Sequence, residues 1–218
     1  MTGVRQAALY RPRTAPVIPG RTGFLIIDAQ NGICARKANV EPHFYDAMHG
    51  TVIPNLVRLR MAARRAGVEV LYTVIESLTA DGRDRCLDYK LTGFHFPRGS
   101  NGARMVPELT PAADEIVLPK TSSSPFNSTT LDYVLRNIGI EAVIVGGFQT
   151  DQCIDHTLRD GADRGYEMIC VTDGCTAKTA MRHAAALDAV KGYCRQVTTL
   201  DLISELEGGK SGLMSSAV

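Results

Sequence analysis

The stretch AVIVGGFQTDQCIDHT, residues 142–157, joins a short apolar run to a helical pattern through a glycine-bearing turn. A run of that length closed by glycine reads as a strand buried on both faces, 142–146, and the helix after it, 150–165, stops at Gly165. The same unit recurs outward in both directions. Downstream, EMICVT (167–172) is a fifth strand, 179–191 a helix, 196–198 a short sixth strand and 200–206 a last helix. Upstream, GFLIIDA (23–29) is the first strand, and a helix over 44–66 carries Val52, Ile53, Leu56, Val57 and Leu59 before Gly67 stops it. VEVLYTVI (68–75) is the second strand, EIVL (115–118) the third, ending at Pro119-Lys120, and a helix over 129–138 stops at Gly139. Short apolar strands alternating with helices require right-handed crossovers. The expected fold is therefore α/β: a doubly wound, six-stranded parallel sheet with helices on both faces.

That domain is expected over 23–207. Residues 1–22, rich in Pro, Arg and Thr, read as an extended arm, and 208–218 (GGKSGLMSSAV) as a disordered tail. Residues 76–105 show little periodicity. A connection that long inside a compact domain is commonly a lid or binding loop, and its Asp81, Arg83, Arg85 and Tyr89 either close over a polar substrate or stay solvated.

The bulk composition excludes more than it selects. Apolar residues at 44%, charged residues at 22% and a net charge of +1 give no electrostatic footprint for nucleic acid or a membrane surface. No apolar run is long enough to span a bilayer, and the N-terminus lacks a signal-peptide core. A cytoplasmic chain whose six cysteines stay reduced is expected, since none forms a C-x-x-C pair.

In a doubly wound sheet the ligand site lies beyond the carboxyl ends of the strands, near the point where strand order reverses. Three chemically interesting residues fall at such ends: Asp28 closes the first strand, Lys120 follows the third, and Cys153 opens the helix after the fourth. A cysteine in the first turn of a helix feels the positive end of the macrodipole, which favours thiolate, and the free N–H groups there suit an oxyanion. A buried carboxylate needs a partner, and Lys120 is a cation that would hold Asp28 charged and lower the thiol pKa. Each residue alone also has an ordinary role open to it: Cys153 as a small buried hydrophobe, Asp28 as a cap, Lys120 as a surface lysine.

Asp28-Ala29-Gln30-Asn31 reads D-x-Q-N; Lys120 is followed six residues later by Phe126; and Gly147-Phe148-Gln149-Thr150-Asp151-Gln152-Cys153 reads G-x-x-T-x-x-C. In that order and spacing the three motifs resemble those of the isochorismatase-like cysteine hydrolases, and the segment LTADGRDRCLDYK (78–90) resembles members near the ureidoacrylate and biuret-type amidohydrolases more than nicotinamidases. Segments 162–166, 171–173 and 183–187 are also similar, so the resemblance runs from about 23 to 206. It implies a catalytic triad of Asp28, Lys120 and Cys153. It also implies a non-proline cis peptide between Phe148 and Gln149, an oxyanion hole from the backbone N–H groups of Gln149 and Cys153, and a homodimer or homotetramer.

Two departures narrow the expectation. Metal-dependent nicotinamidases carry Asp-x-His after the second strand, where this chain has TVIESL (73–78). No set of three or four zinc ligands can be assembled, so no metal and no cofactor are expected. Isochorismatases of the phenazine type lack the cysteine, since vinyl-ether hydrolysis needs only the acid; Cys153 points instead to acyl-enzyme chemistry. Asn31, Glu76, Phe126 and Gln149 are the expected substrate contacts, Glu76 accepting a carbamoyl NH2 and Phe126 forming a flat apolar wall. The expected activity is hydrolysis of a C–N bond in a small ureido, carbamoyl or primary-amide compound through a thioester. The alternatives are a hydrolase of another small amide such as nicotinamide, or a non-catalytic α/β binding module with Cys153 an inert core thiol.

Overall fold

A computed structural model of the chain describes residues 13–35 and 41–208. Most of the expected arm (1–12) and all but the first residue of the expected tail (209–218) lie outside the described residues.

Six parallel strands form one sheet in the order β3-β2-β1-β4-β5-β6: β1 Thr22–Ile27, β2 Glu69–Ile75, β3 Ile116–Lys120, β4 Ala142–Phe148, β5 Glu167–Thr176 and β6 Cys194–Val197. The helices are α1 Asn31–Cys34, α2 Pro42–Ala47, α3 Ile53–Ala66, α4 Leu87–Thr92, α5 Pro125–Ser128, α6 Leu131–Asn137, α7 Asp155–Asp163, α8 Ala180–Ala189 and α9 Thr199–Gly208. The expected α/β architecture is the observed one, with α9 reaching Gly208, the residue at which the disordered tail was expected to start.

Alternation along β1 explains why both faces are covered. Phe24 and Ile26 pack into one apolar layer with Leu56 and Leu59 of α3 and Leu202 and Leu206 of α9. Leu25 and Ile27 point the other way, into a layer with Leu131 and Leu135 of α6 and Leu158 of α7. Successive side chains on a strand face opposite sides, so a run apolar at every position must be sandwiched.

The helix expected over 44–66 is α2 and α3 joined through a π turn at Met48–Val52. Pro54, in the first turn of α3, has no N–H to give back to the preceding turn, and the wider turn absorbs that loss. Gly67 then ends α3 in the left-handed conformation, φ 80°.

The reversal of strand order falls between β1 and β4, where Ile27 pairs with Thr73 on one side and Gly147 on the other. Register between β4 and β5 shifts between Val145 and Gly147. Gly147 has φ +126°, and a Cβ placed on it would lie 2.0 Å from the carbonyl oxygen of Ile27. No rotamer relieves a clash with backbone. Gly147→Ala is therefore expected to cost about 3 kcal/mol or more, or to prevent folding, read as a drop in the urea midpoint.

Candidate active site

Three chain segments converge at the carboxyl edge of the sheet. Asp28 follows β1 with φ 56°, a left-handed backbone that costs a non-glycine residue roughly 1 kcal/mol. Thr73 of β2 holds it there: its carbonyl accepts the Asp28 N–H at 3.0 Å, and its hydroxyl donates to Asp28 Oδ1 at 3.0 Å. The turn directs the carboxylate across the end of β2.

Lys120 arrives from the other side. β3 is the edge strand, two strand spacings from β1, roughly 10 Å, and a lysine's four-carbon stem closes most of that gap. Lys120 Nζ lies 2.9 Å from Asp28 Oδ2, with both side chains essentially inaccessible to solvent, at 0% and 1%. Its N–H groups donate to Tyr89 Oη at 2.8 Å, the Ser122 carbonyl at 3.0 Å and Cys153 Sγ at 3.4 Å. The contact with Asp28 is thus ionic, and Oδ2 has no aligned hydrogen bond of its own. One lone pair stays open to a proton.

Cys153 sits in a π turn, Thr150–Ile154, that leads into α7. The peptide bond before that turn, Phe148–Gln149, is cis. Thr150 Oγ1 is 2.8 Å from His183 Nδ1, and Arg182 pairs with Asp151 at 2.5 Å, so the start of α8 braces the turn. Tyr89 Oη lies 3.6 Å from Cys153 Sγ.

The electrostatics correct one expectation. Helix dipole and Lys120 were expected to favour thiolate, but burial pushes the Cys153 thiol up to about 11; Lys120 opposes that shift and Asp28 adds to it. Desolvation, with Cys153 only 4% exposed, outweighs the dipole of one short turn. Burial also raises the Asp28 carboxyl, with Lys120 pulling it back. Burial works against the Lys120 ammonium, yet Asp28, Cys153 and Tyr89 together hold it well above its ordinary range. The resting sulfur is a thiol, and the burial of Asp28 and Lys120 is offset by each other's charge.

A narrow cleft opens onto Cys153. Its walls are apolar at Ile33, Ile75, Phe94 and Phe148 and polar at Asp28, Tyr89, Gln149, Gln152 and Cys153. A larger cleft lies at the opposite, amino-terminal edge beside Thr22, Ala142 and Glu167. It holds no nucleophile and sits at the wrong end of the strands for the switch-point rule.

Of the expected substrate contacts, only Gln149 borders the Cys153 cleft. Glu76 follows Ile75, and alternation sends the two side chains apart: Ile75 faces the cleft, whereas Glu76 Oε1 accepts the Gly99 N–H at 2.7 Å beside a separate groove. Asn31 Nδ2 donates to Asn101 at 3.2 and 3.3 Å. Phe126 is buried in the core with its ring 5.7 Å from that of Tyr166. His156 is exposed, bonded to the Gln152 carbonyl and away from the cleft. Among the described residues no group of three or more His, Cys, Asp or Glu is arranged to hold a metal, and no helix is long and apolar enough to cross a membrane.

In the sequence Tyr89 stands out only as a lid residue that either closes over substrate or stays in solvent. It is 2% exposed and belongs to α4, which is capped by Cys86 and stopped by Gly93 at φ 77°. That cap-and-glycine frame was the available signal. Ile33, Phe94, Gln152 and Thr73 carried none, since their positions depend on how the loops fold back.

Fold and site together define a doubly wound α/β protein with an acid–ammonium–thiol centre at its switch point. The isochorismatase domain matches residues 22–201, and the chain belongs to that family. Ureidoacrylate amidohydrolase RutB of Serratia proteamaculans (strain 568) is 29% identical to it over 209 residues, covering 88% of this chain and 84% of that protein. A cysteine hydrolase from Pseudomonas syringae pv. phaseolicola 1448A matches in structure with a TM-score of 0.82 at 25% identity, covering 93% of this chain and 99% of that one. N-carbamoylsarcosine amidase from Thermoplasma acidophilum shares the fold, with a TM-score of 0.68 at 24% identity over 82% of this chain and 96% of that one.

Proposed function

We propose that the chain is a cysteine-dependent amidohydrolase that cleaves the C–N bond of a small ureido, carbamoyl or primary-amide compound through a thioester. The observation that carries this reading is the placement of Cys153 Sγ at the cleft, 3.4 Å from a lysine that is itself 2.9 Å from a buried carboxylate. The amidohydrolase name of the Serratia relative supports it.

The proton inventory fits the chemistry. With the thiol raised to about 11, no standing thiolate is present at neutral pH, so a base must take the Sγ proton as attack occurs. Asp28 is that base. Sulfur attacks the carbonyl carbon, and the oxygen takes up negative charge facing the N–H groups of Gln149 and Cys153. Asp28 then gives its proton to the departing nitrogen, the C–N bond breaks, and a thioester remains. Water, losing a proton to Asp28, attacks the thioester; the C–S bond breaks and the proton returns to sulfur. Lys120 stays an ammonium throughout, keeping the carboxylate ionised in a dry site.

One proton must be shared between carboxylate and thiol, which predicts a bell-shaped pH profile for kcat/KM. Its acid limb lies above the ordinary carboxylate value of 3.8, because burial raises Asp28, and its alkaline limb lies near 11, where the thiol loses the shared proton. Ammonia release across a panel of such compounds tests the activity. Acid-quenched intact-mass spectra test the intermediate: an acyl adduct on Cys153 is expected. Turnover without any adduct on Cys153, in single-turnover sampling, would overturn the thioester route.

A further inference from the structure

The cleft contains one buried polar atom without a partner besides the Asp28 oxygen. Gln149 is 8% exposed, and its Oε1 makes no hydrogen bond. A buried acceptor left empty costs free energy until a donor fills it, so the geometry calls for a ligand N–H at that point. The cleft also has no spare positive charge among the described residues. Its lining carries no Lys, Arg or His. The Lys120 charge is matched by Asp28, and its donors are taken by Tyr89, Ser122 and Cys153. Arg85, just before α4, donates to the carbonyls of Gly82, Tyr89 and Phe94 and does not line the cleft.

A substrate carboxylate entering this cleft would lose water and meet Ile33, Ile75, Phe94 and Phe148 with Asp28 close by, a strongly unfavourable exchange. We propose that the cleft selects uncharged substrates: a carbamoyl, ureido or primary-amide compound whose buried part bears no carboxylate and whose N–H is received by Gln149 Oε1. This rests on the reading of Cys153 as nucleophile and adds a substrate class to it. It also sets the chain apart from the Serratia relative, whose named substrate is by its chemistry a carboxylate.

Iodoacetamide and iodoacetate test this without depending on turnover, since they differ only in amide against carboxylate. Alkylation of Cys153 is followed by peptide mass spectrometry on the folded chain and, as reference, on the urea-unfolded chain. The amide-to-acid rate ratio at folded Cys153 is expected to exceed the unfolded ratio by about tenfold or more, given the desolvation of a carboxylate. Gln149→Leu, which removes the acceptor, is expected to lower the amide-to-acid ratio at folded Cys153, chiefly by slowing iodoacetamide. In parallel, kcat/KM for ureidoacrylate methyl ester should exceed that for ureidoacrylate. A folded ratio equal to or below the unfolded one, or a higher kcat/KM for the free acid, overturns the proposal while leaving the amidohydrolase reading intact. Full turnover by Cys153→Ala would instead sink that reading, and this proposal with it.

Discussion

Cys153→Ala should release no ammonia from any substrate that the wild-type chain hydrolyses, a loss of about 10⁴-fold or more in kcat, because it removes the nucleophile of the proposed acyl-enzyme route. The fold should survive. The change deletes one sulfur atom from a well-packed layer that includes Ile154 and Leu158, and a cavity of that size costs roughly 1–2 kcal/mol. Asp28→Asn should lose less, about 10²–10⁴-fold, since the amide cannot accept the thiol proton but leaves the nucleophile in place. Its residual rate should rise steeply with pH, as the raised Cys153 thiol ionises unaided towards about 11. That pH signature separates a missing base from a merely distorted turn, which would lower the rate equally at every pH. Measuring kcat and thermal midpoint for both variants checks the pair. Activity within tenfold of wild type in Cys153→Ala is the result that this mechanism does not permit.

The strands and the three residues that converge at the sheet's edge could be read from the chain because local patterns carry them. β1 is apolar throughout after its Thr22-Gly23 start, and β4 runs into a glycine pair before a polar turn. Asp28, Lys120 and Cys153 are legible as strand-end residues, and the switch-point rule turns three strand ends into one place. Strand order was less accessible. Pro119, which cannot donate a ladder hydrogen bond, marks β3 as an edge strand, yet that sign was read only as a strand end.

What stayed hidden lies where side-chain direction depends on a single residue of register. Glu76 and Ile75 are neighbours in sequence on opposite sides of a strand end, and choosing Glu76 as a cleft residue amounted to a one-residue error in phase. The sign of the thiol shift was also beyond local reading. Dipole and lysine are visible in the sequence, but the desolvation that overrides them comes from the loop bearing Tyr89 and from the packing of β1, β4 and α7 around the sulfur.

Lys120→Met should be the most destabilising single change at the centre apart from loss of Gly147. The methionine keeps most of the stem but leaves the fully buried Asp28 without its cation. Breaking a buried pair from one side costs about 3–5 kcal/mol. The pH dependence identifies the cause. In the wild type, the folded Lys120 value lies above the ordinary 10.5, so its contribution is complete below 10.5 and is lost as pH rises through the folded value. The variant has no such alkaline loss. Instead its Asp28 carboxyl, already raised by burial, loses the opposing pull of Lys120 and rises further. A carboxyl that binds its proton more tightly folded than unfolded loses stability as pH climbs from 3.8 through the folded value. Lys120→Met should therefore be more stable at pH 5 than at pH 8, in urea unfolding at fixed ionic strength. Adding Asp28→Asn should restore most of the loss, since the double variant has no unpaired buried charge, and the coupling in that cycle should be several kcal/mol. A single variant within about 1 kcal/mol of wild type and flat between pH 5 and 8 would mean that Asp28 is not held as a buried carboxylate by Lys120, and the base in the proposed cycle would have to be found elsewhere.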